Sequence, residues 1–388
     1  MKRQWGVYIH IPFCRQKCFY CDFPSFAGRE RYERDYIDAL CREIAVQGAL
    51  YRGRWGRPAT IYMGGGTPSV LPPELMEKLL AKIQEVFVAE DGEGGQKNPL
   101  EFTVECNPGT IDFAYLKMLR RYGVSRLSFG VQTFNDLLLK RIGRIHTGAQ
   151  AKEAVELARA AGFQNVSMDL IYGLPEETVE MLQQDLETMI SLQPEHISIY
   201  GLQLEEGTAF AKMQELGKLH LPDDDTVEKM YDTMTSFLPQ HGYARYEISN
   251  FARPGFESRH NLSYWQDVPY LGLGAAAHSY LDGQRYENVH EIPLYIEGIR
   301  SGKGVRREEE PATRAIAMEE FAFLALRTAK GIDKRRFAEK FGVTLAEVYA
   351  DPISKLKRQG LLEESGDFVH LTEFGMKYGN AAFEEFLL

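Results

Sequence analysis

The 388-residue chain has few cysteines and no long apolar segment. Five cysteines are an odd number, and three of them lie too close together for a regular disulfide framework. No apolar run approaches the ~18 residues needed to span a bilayer. The N-terminal segment MKRQWGVYIHIP also lacks the apolar stretch of a signal peptide. The sequence therefore predicts a cytoplasmic protein with reduced thiols, and peripheral attachment to a membrane is an open alternative.

The chain also lacks an excess of positive charge. Its formal net charge is −10, with 45 lysine and arginine residues against 55 aspartate and glutamate residues. A protein that wraps DNA or RNA needs a basic surface, so this balance argues against a nucleic-acid partner. It does not exclude a small anionic ligand that is held locally.

Short β-branched or aromatic runs alternate with longer amphipathic segments in the first half of the chain. This alternation predicts parallel βαβ units, but periodicity alone does not distinguish a barrel from an open doubly wound sheet. Polar residues at or near strand ends (Glu105, Gln132 and Asp169) favour a barrel with a site at the carboxyl ends of its strands. The predicted strands cover residues 7–11, 60–63, 102–105, 126–131, 166–172 and 196–202.

Three of the five cysteines, Cys14, Cys18 and Cys21, lie within the segment CRQKCFYC. A structural zinc site would need a fourth ligand, and the sequence has no second CxxC or histidine pair with the usual spacing. Buried, unreactive thiols are the better interpretation for Cys41 and Cys106. A 4Fe–4S cluster held by only three thiolates is the third alternative. It would leave one iron open to a ligand that offers adjacent amino and carboxylate groups.

The motif CxxxCxxC, with Tyr20 directly before its last cysteine, resembles the radical S-adenosylmethionine superfamily. A second match is MGGGTPS at 63–69, which contains Gly64, Gly65 and Gly66 directly after a predicted strand. The resemblance implies an α/β fold with a partial (β/α)6 barrel, a 4Fe–4S cluster on the three cysteines, and S-adenosylmethionine beside the glycines. Glycine suits such a position because the backbone can approach a ligand closely.

Within this superfamily the chain resembles the branch that contains the oxygen-independent coproporphyrinogen III oxidases and the HemW heme chaperones, and it is most similar to the chaperones. The resemblance extends over essentially the whole chain. It implies further contacts to S-adenosylmethionine from Tyr8, Tyr20, Glu105, Gln132, Arg144 and Asp169. Gln132, Arg144 and Asp169 would also suit a second S-adenosylmethionine, and whether one binds is a question that the sequence leaves open.

Three features favour a heme chaperone over an oxidase. The oxidases extend their motif by another cysteine, whereas here Asp22 and Phe23 follow Cys21. The oxidases also carry an N-terminal arm before the first strand, whereas this sequence reaches its first predicted strand at residue 7. The segment RHNLSYW at 259–265 matches the HNxxYW motif of the heme chaperones. It implies His260 as an axial heme ligand, with Asn261 orienting it and Tyr264 and Trp265 packing on the macrocycle. Heme would then pass to recipient hemoproteins, membrane respiratory enzymes among them; whether the protein is also an enzyme stays open.

The predicted organisation has three parts. Residues 1–205 form the barrel, 206–303 form a mixed α/β extension with the HNxxYW motif, and 304–388 form a small winged-helix-like domain. Residues 305–388 contain 13 lysine and arginine residues against 15 aspartate and glutamate residues. This balance favours docking or packing over DNA binding. The quaternary state is open, with a homodimer among the alternatives.

Overall fold

Strands and helices alternate through the first half of the chain in the computed structural model, which describes residues 4–89, 100–308 and 311–388. Each of the six predicted strands is present, with bounds within two residues of the prediction. The strands are β1 (Gly6–Ile11), β2 (Phe13–Cys14), β3 (Phe26–Ala27), β4 (Thr60–Gly65), β5 (Glu101–Cys106), β6 (Arg126–Gln132), β7 (Val166–Tyr172), β8 (His196–Gly201), β9 (Ala244–Arg245), β10 (Asn250–Ala252), β11 (Tyr270–Leu273), β12 (His278–Leu281), β13 (Gln284–Asn288), β14 (Arg306–Glu308), β15 (Ile332–Asp333), β16 (Leu362–Ser365) and β17 (Phe368–Leu371).

Many of the helices begin at a polar residue whose side chain accepts a hydrogen bond from the first turn. Thr147 and Gln150, for example, form a reciprocal capping box. The helices are α1 (Glu33–Glu43), α2 (Ala49–Trp55), α3 (Pro73–Ile83), α4 (Phe113–Arg121), α5 (Asp136–Arg141), α6 (Gly148–Ala160), α7 (Val179–Ser191), α8 (Ala209–Glu215), α9 (Asp224–Gln240), α10 (Arg259–Trp265), α11 (Ile292–Ser301), α12 (Arg314–Leu326), α13 (Lys334–Phe341), α14 (Leu345–Arg358), α15 (Glu373–Lys377) and α16 (Gly379–Glu384). The π-helical segments Ile44–Gly48 and Gln84–Val88 continue α1 and α3.

The six predicted strands lie side by side in chain order. Within the described residues the main sheet has the order β14-β13-β12-β11-β1-β4-β5-β6-β7-β8-β10-β9. Strands β1 and β4 to β8 are parallel, and their order does not reverse as it does in a doubly wound sheet. The sheet ends at β14 and β9 without closing. This is the partial (β/α)6 barrel, and the prediction of its fold class is confirmed.

The barrel strands are apolar on one face and polar on the other. In β6, Leu127 and Phe129 are fully buried in the main hydrophobic core. Arg126 and Ser128, which alternate with them, line a cavity inside the sheet. Because side chains alternate along a strand, the helices cover the apolar face and the interior stays polar. The barrel therefore encloses a space suited to a charged or polar ligand.

The region after the sixth barrel strand is more regular than the sequence indicates. Strand β11 pairs in parallel with β1, and β12, β13 and β14 extend the sheet antiparallel to it. The sequence pattern predicts no strand here because Tyr270–Leu273 is short and is followed by small residues. The pairing with β1 joins positions far apart in the chain. The segment 259–265 is the helix α10.

The C-terminal part has its own hydrophobic core, formed by buried residues between Met318 and Phe386. Helices α12, α13 and α14 pack beside the three-stranded sheet β15-β17-β16, as in a winged helix. The proposed boundaries after residues 205 and 303 stay predictions. Among the helices of the described residues, none combines the length and the apolar composition of a membrane-spanning segment.

Candidate cofactor and ligand-binding site

One cavity of ≈ 600 Å³ extends through the barrel. It brings together most of the site residues predicted from the sequence, which lie on the cysteine segment, the barrel strands and α10. The lining includes Cys14, Cys18, Tyr20, Cys21, Gly65, Gly66, Glu105, Gln132, Arg144, Asp169, Asn261 and Trp265. Tyr8, Gly64, His260 and Tyr264 do not line it.

The three clustered cysteines lie at the carboxyl end of β1. Cys14 Sγ is 3.7 Å from Thr67 Oγ1, and Cys18 Sγ accepts a hydrogen bond from Arg144 Nη1 at 3.6 Å. The amide of Cys21 donates to the carbonyl of Cys18. Partial burial raises the pKa of the Cys14 and Cys21 thiols. In the described part of the chain, no three His, Cys, Asp or Glu side chains converge on one metal-ion position. All three thiols line the same cavity.

Cys41 and Cys106 differ from these three thiols. Both are buried, and burial raises their pKa values to about 11 and about 12. Cys41 lies in α1 within the hydrophobic core, while Cys106 ends β5 beside the cavity. A thiol with so high a pKa stays protonated at neutral pH and is a poor metal ligand.

The glycines at the end of β4 leave no room for side chains. A Cβ at position 64 would lie 2.7 Å from Glu105 Oε2, and one at position 66 would lie 3.0 Å from Cys14 Sγ. Gly65 has φ +111°, which L-residues rarely adopt, and a Cβ there would meet the ring of His10. A side chain at position 65 therefore points toward His10. Substitution there would distort the backbone of the glycine segment 64–66, in addition to any effect on a ligand in the cavity.

Two half-buried carboxyl groups, Glu105 on β5 and Asp169 on β7, line the cavity. Glu105 accepts hydrogen bonds from Tyr62 Oη at 2.7 Å and from the Gly65 amide at 3.2 Å. Burial raises the pKa of Glu105 to about 7 and also raises the pKa of Asp169. Ser128 Oγ lies 3.4 Å from both carboxyl oxygens of Asp169. Both groups are placed to accept hydrogen bonds from ligand amino or hydroxyl groups.

Gln132 and Arg144 meet over Gly130 at the end of β6. The strand register shifts between Gly130 and Gln132, and Gln132 has φ 69°. Such a φ is uncommon for a non-glycine residue and is typical of a position constrained by its surroundings. A Cβ at Gly130 would lie 2.9 Å from Gln132 Nε2 and 3.1 Å from Arg144 Nη2. Arg144 donates to the Gly130 carbonyl, and its buried Nε has no hydrogen-bond partner.

Helix α10 lies at the opposite end of the barrel from the cysteines. The carboxylate of Glu101, the first residue of β5, accepts hydrogen bonds from the amides of Arg259 and His260, both at 3.0 Å. Since β1 has six residues, its two ends are roughly 17 Å apart. Asn261 and Trp265 of this helix line the cavity together with Arg126, the first residue of β6, and Arg327. We call this end, lined by Arg126, Asn261, Trp265 and Arg327, the floor of the cavity.

His260 is packed behind the floor. Its Nδ1 is 2.8 Å from Thr60 Oγ1, its Nε2 is 2.9 Å from Tyr264 Oη, and its ring stacks on Tyr62 with centroids 5.1 Å apart. The residue is 1% exposed, and burial lowers its pKa to about 3, so the imidazole is neutral. A neutral imidazole suits iron, but both ring nitrogens are already engaged. Axial ligation by His260 stays a prediction that requires it to release a hydrogen bond.

Comparison with known proteins matches two segments of the chain to families. Residues 8–189 match the radical SAM superfamily, and residues 312–377 match the HemN C-terminal domain. The chain is 40% identical to the heme chaperone HemW of Lactococcus lactis over 99% of this chain and 97% of that protein. It is 40% identical to HemW of Bacillus subtilis, over 98% and 99% of the two chains, and 34% identical to HemW of Escherichia coli, over 98% of each. The chain belongs to the HemW family of radical SAM proteins.

The solved structure of coproporphyrinogen III oxidase (HemN) from Escherichia coli has the same fold. Its TM-score is 0.85 over 100% of this chain and 90% of that chain, at 24% sequence identity. At this identity the similarity concerns the fold alone. It confirms the radical SAM barrel followed by a C-terminal domain of the HemN type.

Membership in the radical SAM superfamily implies a 4Fe–4S cluster and S-adenosylmethionine. The residues fit both groups. Three partly exposed thiols line one end of the cavity, Gly65 and Gly66 line it beside them, and the buried Nε of Arg144 has no hydrogen-bond partner. The cavity can therefore hold an anionic, polar ligand next to the cysteines.

Sequence reasoning missed several residues of the cavity, above all Tyr62, Arg126 and Arg327. Tyr62 and Arg126 carry a signal in the sequence, since polar residues alternate with apolar ones in TIYM and RLSF. Tyr8 does not line the cavity but packs against Tyr62, which does. The centroids of the two rings are 6.3 Å apart, and the Tyr8 hydroxyl is 3.0 Å from His10 Nδ1. Arg327 has no such signal because it follows α12 in the C-terminal part.

The raised pKa of Glu105 makes the cofactor-free protein sensitive to pH. Between its ordinary value of 4.5 and the folded value of about 7, the folded protein keeps a proton that the unfolded chain releases. Stability from this group therefore falls as pH rises through that window. We expect Glu105→Gln to remove this dependence and to gain about 2 kcal/mol over wild type at pH 8. Thermal unfolding at pH 5 and pH 8 measures it, and parallel pH profiles for the two proteins would contradict it.

Proposed function

We propose that the protein is a heme chaperone that binds a 4Fe–4S cluster, S-adenosylmethionine and heme, and delivers heme to hemoproteins. The observation that carries this proposal is the 40% identity, along essentially the whole chain, to relatives named heme chaperone HemW. Respiratory enzymes at a membrane are the recipients that we propose, with the protein acting from the cytoplasm. The formal net charge of −10 argues against a nucleic-acid partner.

We propose that Cys14, Cys18 and Cys21 hold the cluster and that the neighbouring residues hold S-adenosylmethionine at its open iron. The cluster can supply one electron to the sulfonium group of that ligand. Arg144 can pair with the ligand carboxylate, and Glu105 can accept hydrogen bonds from its amino or ribose groups. The remaining contacts proposed are Tyr8, Tyr20, Gly64, Gly65, Gly66, Gln132 and Asp169.

For heme we propose contact with α10. Asn261 and Trp265 already face the cavity, and the Trp265 indole offers a flat apolar surface. Tyr264 packs against His260 with ring centroids 5.0 Å apart. His260 ligates the iron only when it exchanges a protein hydrogen bond for the metal. This exchange suits a carrier, because a ligand that can return to a protein partner lowers the barrier to heme release.

The alternative is an oxygen-independent coproporphyrinogen III oxidase. Similarity to the solved oxidase shows the fold alone, and Asp22 stands where the oxidases carry a further cysteine. We therefore expect no protoporphyrinogen when the cluster-loaded protein is incubated anaerobically with S-adenosylmethionine, a strong reductant and coproporphyrinogen III. Multiple turnovers per chain would favour the oxidase.

Heme delivery is the direct test of the chaperone function. We expect the heme-loaded protein to transfer heme to an apo-hemoprotein faster than it loses heme to buffer, since delivery is a bimolecular handoff. Absorbance of the recipient, followed over time at several recipient concentrations, measures this. A transfer rate that is independent of recipient concentration and equal to the passive loss rate would exclude a chaperone role.

A further inference from the structure

The floor of the cavity contains buried donors that the protein leaves without acceptors. Among the described residues, the Nε atoms of Arg126 and Arg327 and the Nε1 atom of Trp265 are buried without a hydrogen-bond partner. All three residues line the cavity. Buried polar groups are almost always satisfied, so donors that converge on one space indicate a ligand that supplies the acceptors.

Arg126 is the most unusual of these residues. Its side chain is 2% exposed, and in the described part of the chain its guanidinium has neither a hydrogen bond nor an ion pair. The acidic groups near it are Glu105 and Asp169, whose pKa values are raised by burial. Among the described residues, neither carboxylate forms an ion pair with Arg126, and each is bonded to other protein groups. A buried arginine is normally retained only with an anionic partner.

Arg327 comes from the C-terminal part of the chain, directly after α12. Its guanidinium lies over the Trp265 ring, with Cζ 4.6 Å from the ring centroid. The buried Glu247 is nearby, but its carboxylate accepts a hydrogen bond from the Ser249 amide at 2.8 Å. Stacking on an indole fixes the plane of a guanidinium while leaving its N–H edge available. The C-terminal part thus presents a fixed cation to a barrel cavity.

We propose that the floor is a carboxylate-binding subsite in which Arg126, Arg327 and the Trp265 N–H bind an acidic group of the ligand. Guanidinium groups bind carboxylates through two parallel hydrogen bonds, and the indole adds a third donor. This inference rests on the proposed function in one respect: the propionate side chains of heme are one source of the carboxylate. The amino-acid carboxylate of a second S-adenosylmethionine, bound apart from the one at the cluster, is the other. The C-terminal part then takes part in ligand recognition.

The test compares heme with heme dimethyl ester, in which both propionates are neutral, on the full-length cluster-loaded protein. We expect wild type to bind heme about tenfold more tightly than the ester, the scale of one charge-assisted interaction. In Arg327→Gln this ratio falls to about one while ester affinity is unchanged. Arg126→Gln behaves in the same way. The matched control is Arg253→Gln, because Arg253 also lies over an aromatic ring, Tyr243 at 5.3 Å, but does not line the cavity.

A second arm titrates S-adenosylmethionine into the same variants. If the affinity for S-adenosylmethionine at a second site falls in Arg327→Gln while the heme-to-ester ratio stays unchanged, the subsite is upheld and its carboxylate is that of a second S-adenosylmethionine. If neither ligand responds to either arginine, the subsite is overturned. The two proposals can also fail separately. If wild type binds no heme, and Arg327→Gln binds S-adenosylmethionine more weakly than wild type does, the chaperone function is defeated and the subsite is upheld.

Discussion

Cys18→Ala should lose the entire iron–sulfur cluster, about four irons per chain after anaerobic reconstitution. The reason is geometric: the three thiols line one end of one cavity, and each would bind a separate iron. With three ligands and one open position, a cluster that loses a thiolate is held at only two points. Iron content and cluster absorbance measure the effect, and Cys14→Ala and Cys21→Ala should behave alike.

Cys41→Ala is the matched control for this prediction. Cys41 is buried in the hydrophobic core away from the cavity, so its removal should leave iron content unchanged and cost only packing energy. Circular dichroism of Cys18→Ala should match wild type, because Cys18 is partly exposed. Full iron content in Cys18→Ala would show that the cluster has other ligands.

His260→Ala should remove the imidazole ligand from bound heme while leaving cluster content intact. The two sites separate because α10 and the cysteines lie at opposite ends of the barrel strands. The substitution also leaves Thr60 and Tyr264 without their partner, which should cost about 1–3 kcal/mol of stability. Heme titration followed by absorbance measures the ligand change, and free imidazole should partly restore the wild-type spectrum.

Tyr264→Phe distinguishes a ligand role for His260 from a purely structural one. It keeps the aromatic ring but removes the hydroxyl 2.9 Å from His260 Nε2, which leaves that nitrogen available. If His260 ligates iron, heme affinity should rise about fivefold, since one competing hydrogen bond of about 1 kcal/mol is gone. If the spectrum of His260→Ala is unchanged, and heme affinity is unchanged in both His260→Ala and Tyr264→Phe, then α10 has only a structural role at this end of the barrel.

The cluster and the strand order could be predicted because their signals are local. One loop of eight residues supplies all three thiols, so spacing alone restricts the chemistry. Each barrel strand pairs with the next one along the chain, and alternation of strand and helix therefore indicates the topology. Periodicity alone did not decide between a barrel and an open sheet; the family resemblance indicated the barrel, and the strand order in the structure confirmed it.

The sequence by itself determined where the thiols lie, which strands form the barrel, and to which family the chain belongs. Only the tertiary structure placed α10 on the floor, engaged both nitrogens of His260, and brought Arg327 beside Trp265. The hydrogen bond between Thr60 and His260 joins residues 200 positions apart. Such contacts leave no periodic trace, because the pattern of one segment depends on its own neighbours and not on the surface that it will meet.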